Sequence, residues 1–162
     1  MKKLLLLLLC MPLIGFGQQT TYVPDDNFEA HLELYGMGNG LPNDNYVNTS
    51  NINSVDFLDL WNVSGITDLT GIEDFLHLDT LLLRNSTLTT LDLTNNTALD
   101  MLWIHNIPIT SLDLSNNFYL THIEIKNTQL VSLDVSHIPA LTYLDCSNNE
   151  LITLDVKNSN NN

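Results

Sequence analysis

From about Leu78 onward the apolar residues come in pairs, two positions apart, inside otherwise polar sequence. The pairs Leu81/Leu83, Leu91/Leu93, Leu102/Ile104, Leu112/Leu114, Ile123/Ile125, Leu133/Val135, Leu144/Cys146 and Leu154/Val156 follow one another at steps of 10, 11, 10, 11, 10, 11 and 10. An apolar pair at i and i+2 is a short strand with one buried face, because successive side chains of a strand point to opposite sides. Two such half-units make one full repeat, the interval from Leu81 to Leu102 and again from Leu102 to Ile123. No single unit can bury its apolar face alone, so copies must stack and share a core, which is the logic of a solenoid.

The same reading extends upstream. Val55, Leu58 and Leu60 form a first strand, slightly more than one repeat before Leu81/Leu83, and the stretch 66–75 is the longer convex side of one larger coil. Before it, Phe28, Leu32 and Tyr35 recur at helical spacing behind Asp25 and Asp26, either of which can cap the first turn. Gly36 is placed to end that helix in a left-handed conformation. An amphipathic helix here would cover the open apolar end of the first coil. The intervening 37–50 is a loop rich in Gly, Asn and Pro. Asn39, Asn43, Asp44 and Asn45 lack the spacing of a calcium loop, and turn chemistry is the preferred account.

The first residues read as a leader. Met1-Lys2-Lys3 is a basic start, 4–16 is apolar but too short to span a membrane, and Gly15-Phe16-Gly17 predicts cleavage before Gln18. A retained anchor would want a charged flank after the run, and a lipoprotein site at Cys10 would want a small residue where Leu9 stands. The expected division is a signal peptide over 1–17, a cap of helix and loop over 18–50, and a solenoid over 51–162. Without Lys2 and Lys3, three cations (Arg84, Lys126, Lys157) face 19 acidic residues, three minus nineteen, a net charge near −16. Such a chain repels nucleic acid and anionic head groups, so neither is an expected partner, and membrane insertion after cleavage is not expected. It favours basic partners and divalent cations, although solubility alone is the preferred reason for the charge. Cys146 stands alone after cleavage, in a position matching the core residues Leu83, Ile104 and Ile125, where it acts as a small hydrophobe.

The literal run Leu141-Thr142-Tyr143-Leu144-Asp145-Cys146-Ser147-Asn148-Asn149-Glu150-Leu151-Ile152-Thr153-Leu154-Asp155-Val156 resembles the leucine-rich repeat in its nested bacterial form. The stretch 66–83 resembles the longer internalin-like variety, and Val23-Pro24-Asp25-Asp26-Asn27-Phe28 resembles the helical N-terminal cap of secreted members. The resemblance implies an α/β solenoid of short parallel strands, predominantly β and loop with one capping helix, and a secreted or cell-surface destination. The chain departs from the pattern after its strands. Asparagine is kept at Asn96, Asn117 and Asn149, but Ser86, Ile107, Thr128 and Ile138 occupy equivalent slots. Asn85, Asn106, Asn127 and Asn148 form a column one position earlier, which is expected to supply the turn hydrogen bonds instead. The end, 157–162, offers no apolar cap.

Each coil is expected to carry two strands whose outward residues differ in character. Those of the first are Thr80/Leu82/Arg84, Met101/Trp103/His105, His122/Glu124/Lys126 and Tyr143/Asp145/Ser147. Those of the second are Thr90/Asp92/Thr94, Ser111/Asp113/Ser115, Ser132/Asp134/Ser136 and Thr153/Asp155/Lys157. Variation on a fixed scaffold suits recognition, whereas repetition suits a structural role. The candidate binding residues are therefore Met101, Trp103, His105, His122, Glu124, Tyr143 and Asp145, with Trp and Tyr as large rigid anchors. His105, His122, Glu124 and Asp145 include metal-ligating types, but His105 and His122 lie at opposite ends of their strands, and no metal or other cofactor is expected. The column Asp92, Asp113, Asp134 and Asp155 is self-repelling, and flanking hydroxyls are preferred over bound cations as its remedy. No nucleophile elbow, zinc motif or phosphate loop appears, so no enzymatic activity is expected. The expected function is a binding module for a protein or glycan. The alternative is a structural or assembly element, or a piece of a longer adhesin, associating end to end through its last coil.

Overall fold

The computed structural model describes residues 18–157. The expected leader and the final residues 158–162 lie outside that range. The parallel ladder is built from β3 (Phe57–Leu60), β4 (Thr80–Arg84), β5 (Met101–His105), β6 (His122–Lys126) and β8 (Tyr143–Asp145). Its register pairs Leu58 with Leu81, Leu102 with Ile123, and Ile123 with Leu144, so each step is one repeat. The inward columns Leu58/Leu81/Leu102/Ile123 and Leu60/Leu83/Ile104/Ile125 are buried. In the larger coil Ile66, Leu69, Ile72 and Phe75 turn inward, with a 3-10 turn at Ile72–Asp74. Among the described residues no helix is long and apolar enough to cross a membrane.

The second strand of each coil departs from expectation. Only β7 (Ser132–Asp134) and β9 (Thr153–Asp155) pair as a ladder. The stretches 90–94 and 111–115 alternate inward and outward but do not form strands. At the end of the first stretch the turn carbonyls are bonded by side chains of the next coil. Asn117 Nδ2 donates to Leu93 O at 3.1 Å, and Asn116 Nδ2 donates to Thr94 O at 3.0 Å.

The two asparagine columns also divide their labour differently from expectation. Asn96, Asn117 and Asn149 bond the turn carbonyls: Asn96 Nδ2 donates to Ile72 O and Phe75 O, Asn117 Nδ2 also to Asn96 O, and Asn149 Nδ2 to Ile125 O and Cys146 O. Each thus ties its own turn or a neighbouring coil, which keeps buried backbone carbonyls paired. The earlier column Asn85, Asn106, Asn127 and Asn148 serves the backbone instead, with one bond inside the column from Asn106 Nδ2 to Asn85 Oδ1. All four take positive φ, at 55°, 58°, 51° and 57°. Asparagine tolerates that left-handed region better than other residues with a side chain.

The cap begins with β1 (Thr20–Tyr22), followed by α1 (Asp26–Leu34), β2 (Tyr46–Asn48) and α2 (Thr49–Ile52). β1 and β2 pair antiparallel, so 37–50 is not wholly the expected loop. Asn43 and Asn45 have positive φ, and Asn39 Nδ2 donates to Asp44, which is turn chemistry. Phe28 and Leu32 are buried, and the Phe28 ring stacks on Phe75 with centroids 6.3 Å apart. Tyr35 is not part of that core. The helix ends at Leu34, and Tyr35 is 66% exposed. Glu29 is fully buried in its stead, its carboxylate accepting from the backbone N–H of Asp44 and Asn45.

Asp25 joins cap to solenoid. Its Oδ1 accepts from the N–H of Asn27 and Phe28, capping α1, while its Oδ2 accepts from Thr67 N, Thr67 Oγ1 and Asp68 N in the first coil. Burial alone would raise its carboxyl pKa, but the hydrogen bonds from Thr67, Phe28 and Asp68 outweigh it and hold the group below the ordinary value. Removing the carboxylate orphans donors on both sides, so Asp25→Ala should cost about 2–4 kcal/mol, read from urea unfolding at pH 7. The folded pKa lies below the unfolded one, so this contribution is complete above about pH 4. It is lost as pH falls through the lower folded value, and the gap between wild type and variant should narrow in acid. In the left-handed column, Asn127→Val should cost about 1–2 kcal/mol more than Asn127→Gly in the same measurement.

Candidate functional site

The ladder register sets the varied outward residues in rows. One row runs Phe57, Thr80, Met101, His122 and Tyr143, and the next runs Asp59, Leu82, Trp103, Glu124 and Asp145. A third holds Arg84, His105 and Lys126. Adjacent strands lie about 4.8 Å apart, so side chains within a row are close neighbours. All seven candidate residues lie on this sheet, and most are half-buried against their row neighbours, with Tyr143 42% exposed.

Trp61, just after β3, extends the third row and was not among the expected site residues. Its ring meets His105 at 4.7 Å and Trp103 at 6.3 Å between centroids, both edge-on, and the Arg84 guanidinium lies over it at 5.0 Å. Such a cation held over an indole is attracted by the negative face of the ring. The signal was present in the chain: Trp61 precedes Arg84 by the same interval that separates Leu58 from Leu81.

Charged groups continue the row. His105 Nε2 lies 3.1 Å from Glu124 Oε2, and Lys126 Nζ bridges Glu124 Oε2 at 2.9 Å and Asp145 Oδ2 at 2.8 Å. The Lys126 ammonium, with help from Ser147, holds the Asp145 carboxyl down to about 2, while Asp145 and Glu124 push the Lys126 pKa up. Beside this network the His122 and Tyr143 rings stack at 5.8 Å. The structure therefore joins His105, Glu124 and Asp145 through Lys126, and pairs His122 separately with Tyr143. Among the described residues no three His, Cys, Asp or Glu side chains are grouped to hold a metal ion.

The monotonous face is occupied with itself. Asp92, Asp113, Asp134 and Asp155 each accept the backbone N–H two residues on, from Thr94, Ser115, Ser136 and Lys157. The Thr94 hydroxyl also donates to Asp92. Hydroxyls thus contribute, as expected, but the shared device is a turn closed on backbone. Hydrogen bonds from Thr94, Ser115 and Ser136 hold the carboxyls of Asp92, Asp113 and Asp134 below the ordinary value. Asp59 and Asp145 make the same turn at the end of their own strands.

A groove between α1 and the first coil adjoins the varied face and is lined in part by His31, Tyr35, Asp59 and Asn62. Burial lowers the His31 pKa against the opposing pull of the Asp59 charge. Cys146 is half-buried, and that burial raises its thiol pKa, which suits a packing residue rather than a nucleophile. Because Lys126 contributes most to depressing Asp145, Lys126→Met should raise the Asp145 titration in a carboxyl-carbon NMR titration, while the Ser147 hydrogen bonds still hold it below the ordinary value of about 4.

No protein-family model matches the chain, and no curated protein matches it. Among solved structures, the functional domain of InlJ from Listeria monocytogenes, described as including a cysteine ladder, matches with a TM-score of 0.72 and 34% identity. That match covers 85% of this chain and 31% of the InlJ chain, so the chain spans about a third of the structure it resembles. Internalin C2 from Listeria monocytogenes aligns over 83% of this chain and 97% of its own at 16% identity, with a TM-score of 0.36. Parallel strands held in register at a 21-residue spacing, together with the InlJ match, show that the chain is a bacterial leucine-rich-repeat protein.

Proposed function

We propose that this chain is a non-catalytic protein-binding module, exported to the cell surface or beyond, and that it binds through the outward face of the β3-β4-β5-β6-β8 ladder. The observation that carries the reading is the contrast between two faces on one scaffold. On the second face each aspartate is consumed in an identical turn. On the first face the side chains differ from coil to coil yet pack into one contiguous set, from Phe57 to Asp145. Tryptophan, tyrosine and arginine dominate interface energies, and all three types sit on this face. The likeness to InlJ supports a leucine-rich-repeat binding role and an extracellular location. A non-catalytic role is supported by the arrangement at His122, where the Thr121 hydroxyl donates to Asp100 at 2.5 Å and contacts His122 Nδ1 at 3.0 Å.

A second reading rests on the last coil, where Ile152 is 82% and Leu154 45% exposed. Exposed apolar groups beside strand edges favour end-to-end association. Gel filtration over a range of concentrations separates the two, since a monomer at all concentrations rules out assembly. The binding reading is tested by capture from host and bacterial surface extracts with residues 18–162. The Trp103→Ala, Tyr143→Ala double variant should lose its partner at least tenfold while remaining folded. A Thr90→Ala, Ser111→Ala variant on the other face should keep it. Equal capture by both variants would remove the varied face from the account, and a glycan in the captured fraction would change the ligand class.

A further inference from the structure

Arg84 is the one arginine in a sequence with 19 acidic residues. In so acidic a chain a guanidinium would be expected to find a carboxylate, and Lys126 finds two. Arg84 finds none: no carboxylate among the described residues pairs with it. Its contact is instead the Trp61 ring, 5.0 Å below. Its Nε is shut off from solvent without an acceptor, whereas the Nη groups are neither buried nor bonded to protein. The side chain is thus held by an aromatic face and presents only the outer end of its fork.

This arrangement is costly for the free protein and useful for a complex. A buried N–H without an acceptor destabilises the chain that carries it. Stacking on Trp61, which is itself braced by His105, fixes the guanidinium before any ligand arrives, so little side-chain entropy remains to be lost. Charge-assisted bonds from a guanidinium to a carboxylate are among the stronger contacts available at an interface. The other cation of the face, Lys126, is already neutralised by Glu124 and Asp145, which leaves Arg84 as the face's unclaimed positive group.

Building on the proposed protein-binding role, we infer that Arg84, seated on Trp61, is the anchor for a single carboxylate side chain of the partner protein. A single carboxylate is specified because the chain carries a net charge of −14 even with its leader, and that field repels a polyanion. The partner surface around that carboxylate is accordingly neutral or basic.

The sequence supplies its own reporters, since one arginine gives one Nε–H cross-peak and both tryptophans, Trp61 and Trp103, lie at the site. The Arg84 Nε–H and Trp61 indole signals of residues 18–162 are followed by NMR during titration with N-acetyl-glutamic acid α-amide at constant ionic strength. A saturable shift of both signals is expected, at least tenfold larger than that given by the uncharged N-acetyl-glutamine α-amide. Equal shifts with the two amides, or shifts no larger than those from chloride, overturn the assignment. So does a response to glucuronate without one to the glutamate amide, which would place the carboxylate on a glycan. The arm that separates this inference from the general reading is capture by Arg84→Gln. Capture should fall at least tenfold in Arg84→Gln, as it does in the Trp103→Ala, Tyr143→Ala variant. If it falls in the double variant alone, the face binds but Arg84 is not its anchor. If it falls in neither, the binding face itself is misplaced.

Discussion

The fixed register between stacked coils governs everything else in this molecule. Each strand of the main ladder pairs with the strand one repeat away, so positions one period apart in sequence become neighbours in space. Inward, this stacks leucine and isoleucine in columns without polar interruption. A coil alone would leave much of that surface in water, and the coils are stable only together. Outward, the same register lines up Arg84, His105 and Lys126 whether or not the core benefits. The face is therefore a by-product of the packing rule, free to vary in chemistry while fixed in geometry.

Two devices keep the register from slipping. The asparagines at 96, 117 and 149 reach across to carbonyls of their own or neighbouring coils, which a one-residue slip would leave unpaired. At the start of the stack Asp25 satisfies donors in the cap helix and in the first coil with one carboxylate. The cap helix places Phe28 on Phe75, so the first coil meets hydrophobic surface on its outer side as the others do. Function draws on this rigidity, because rigid elements hold a binding constellation in place at little entropic cost.

The repeat, the strand positions on the main ladder, the cap helix and its capping aspartate were all legible in the sequence, because periodicity and capping are local signals. Other features were not. β1 and β2 pair across the whole of α1 and the loop after it, and strands so short have too little pattern to announce themselves. Glu29 reads as a surface residue of an amphipathic helix until Asp44 and Asn45 are seen to fold back onto it. The stretches 90–94 and 111–115 share the apolar pairing of 132–134 and 153–155 yet form no strands, a difference that no single half-unit reveals. At the candidate site, the register placed the seven residues on one face, but which neighbours would touch depended on side-chain reach. Trp61 belonged to the larger first coil, and its longer step to Arg84 hid it from a search at the common period.

The central claim is that the coil register assembles the varied face in advance, so that Trp61, Trp103, Arg84 and His105 are held before any partner binds. Nitrogen-15 relaxation of the two indole N–H groups in the free protein tests this most directly, since both lie within that cluster. The account predicts order parameters near those of rigid backbone, about 0.85. Values below about 0.6 would show rings moving freely on the nanosecond scale, and would contradict a preassembled face.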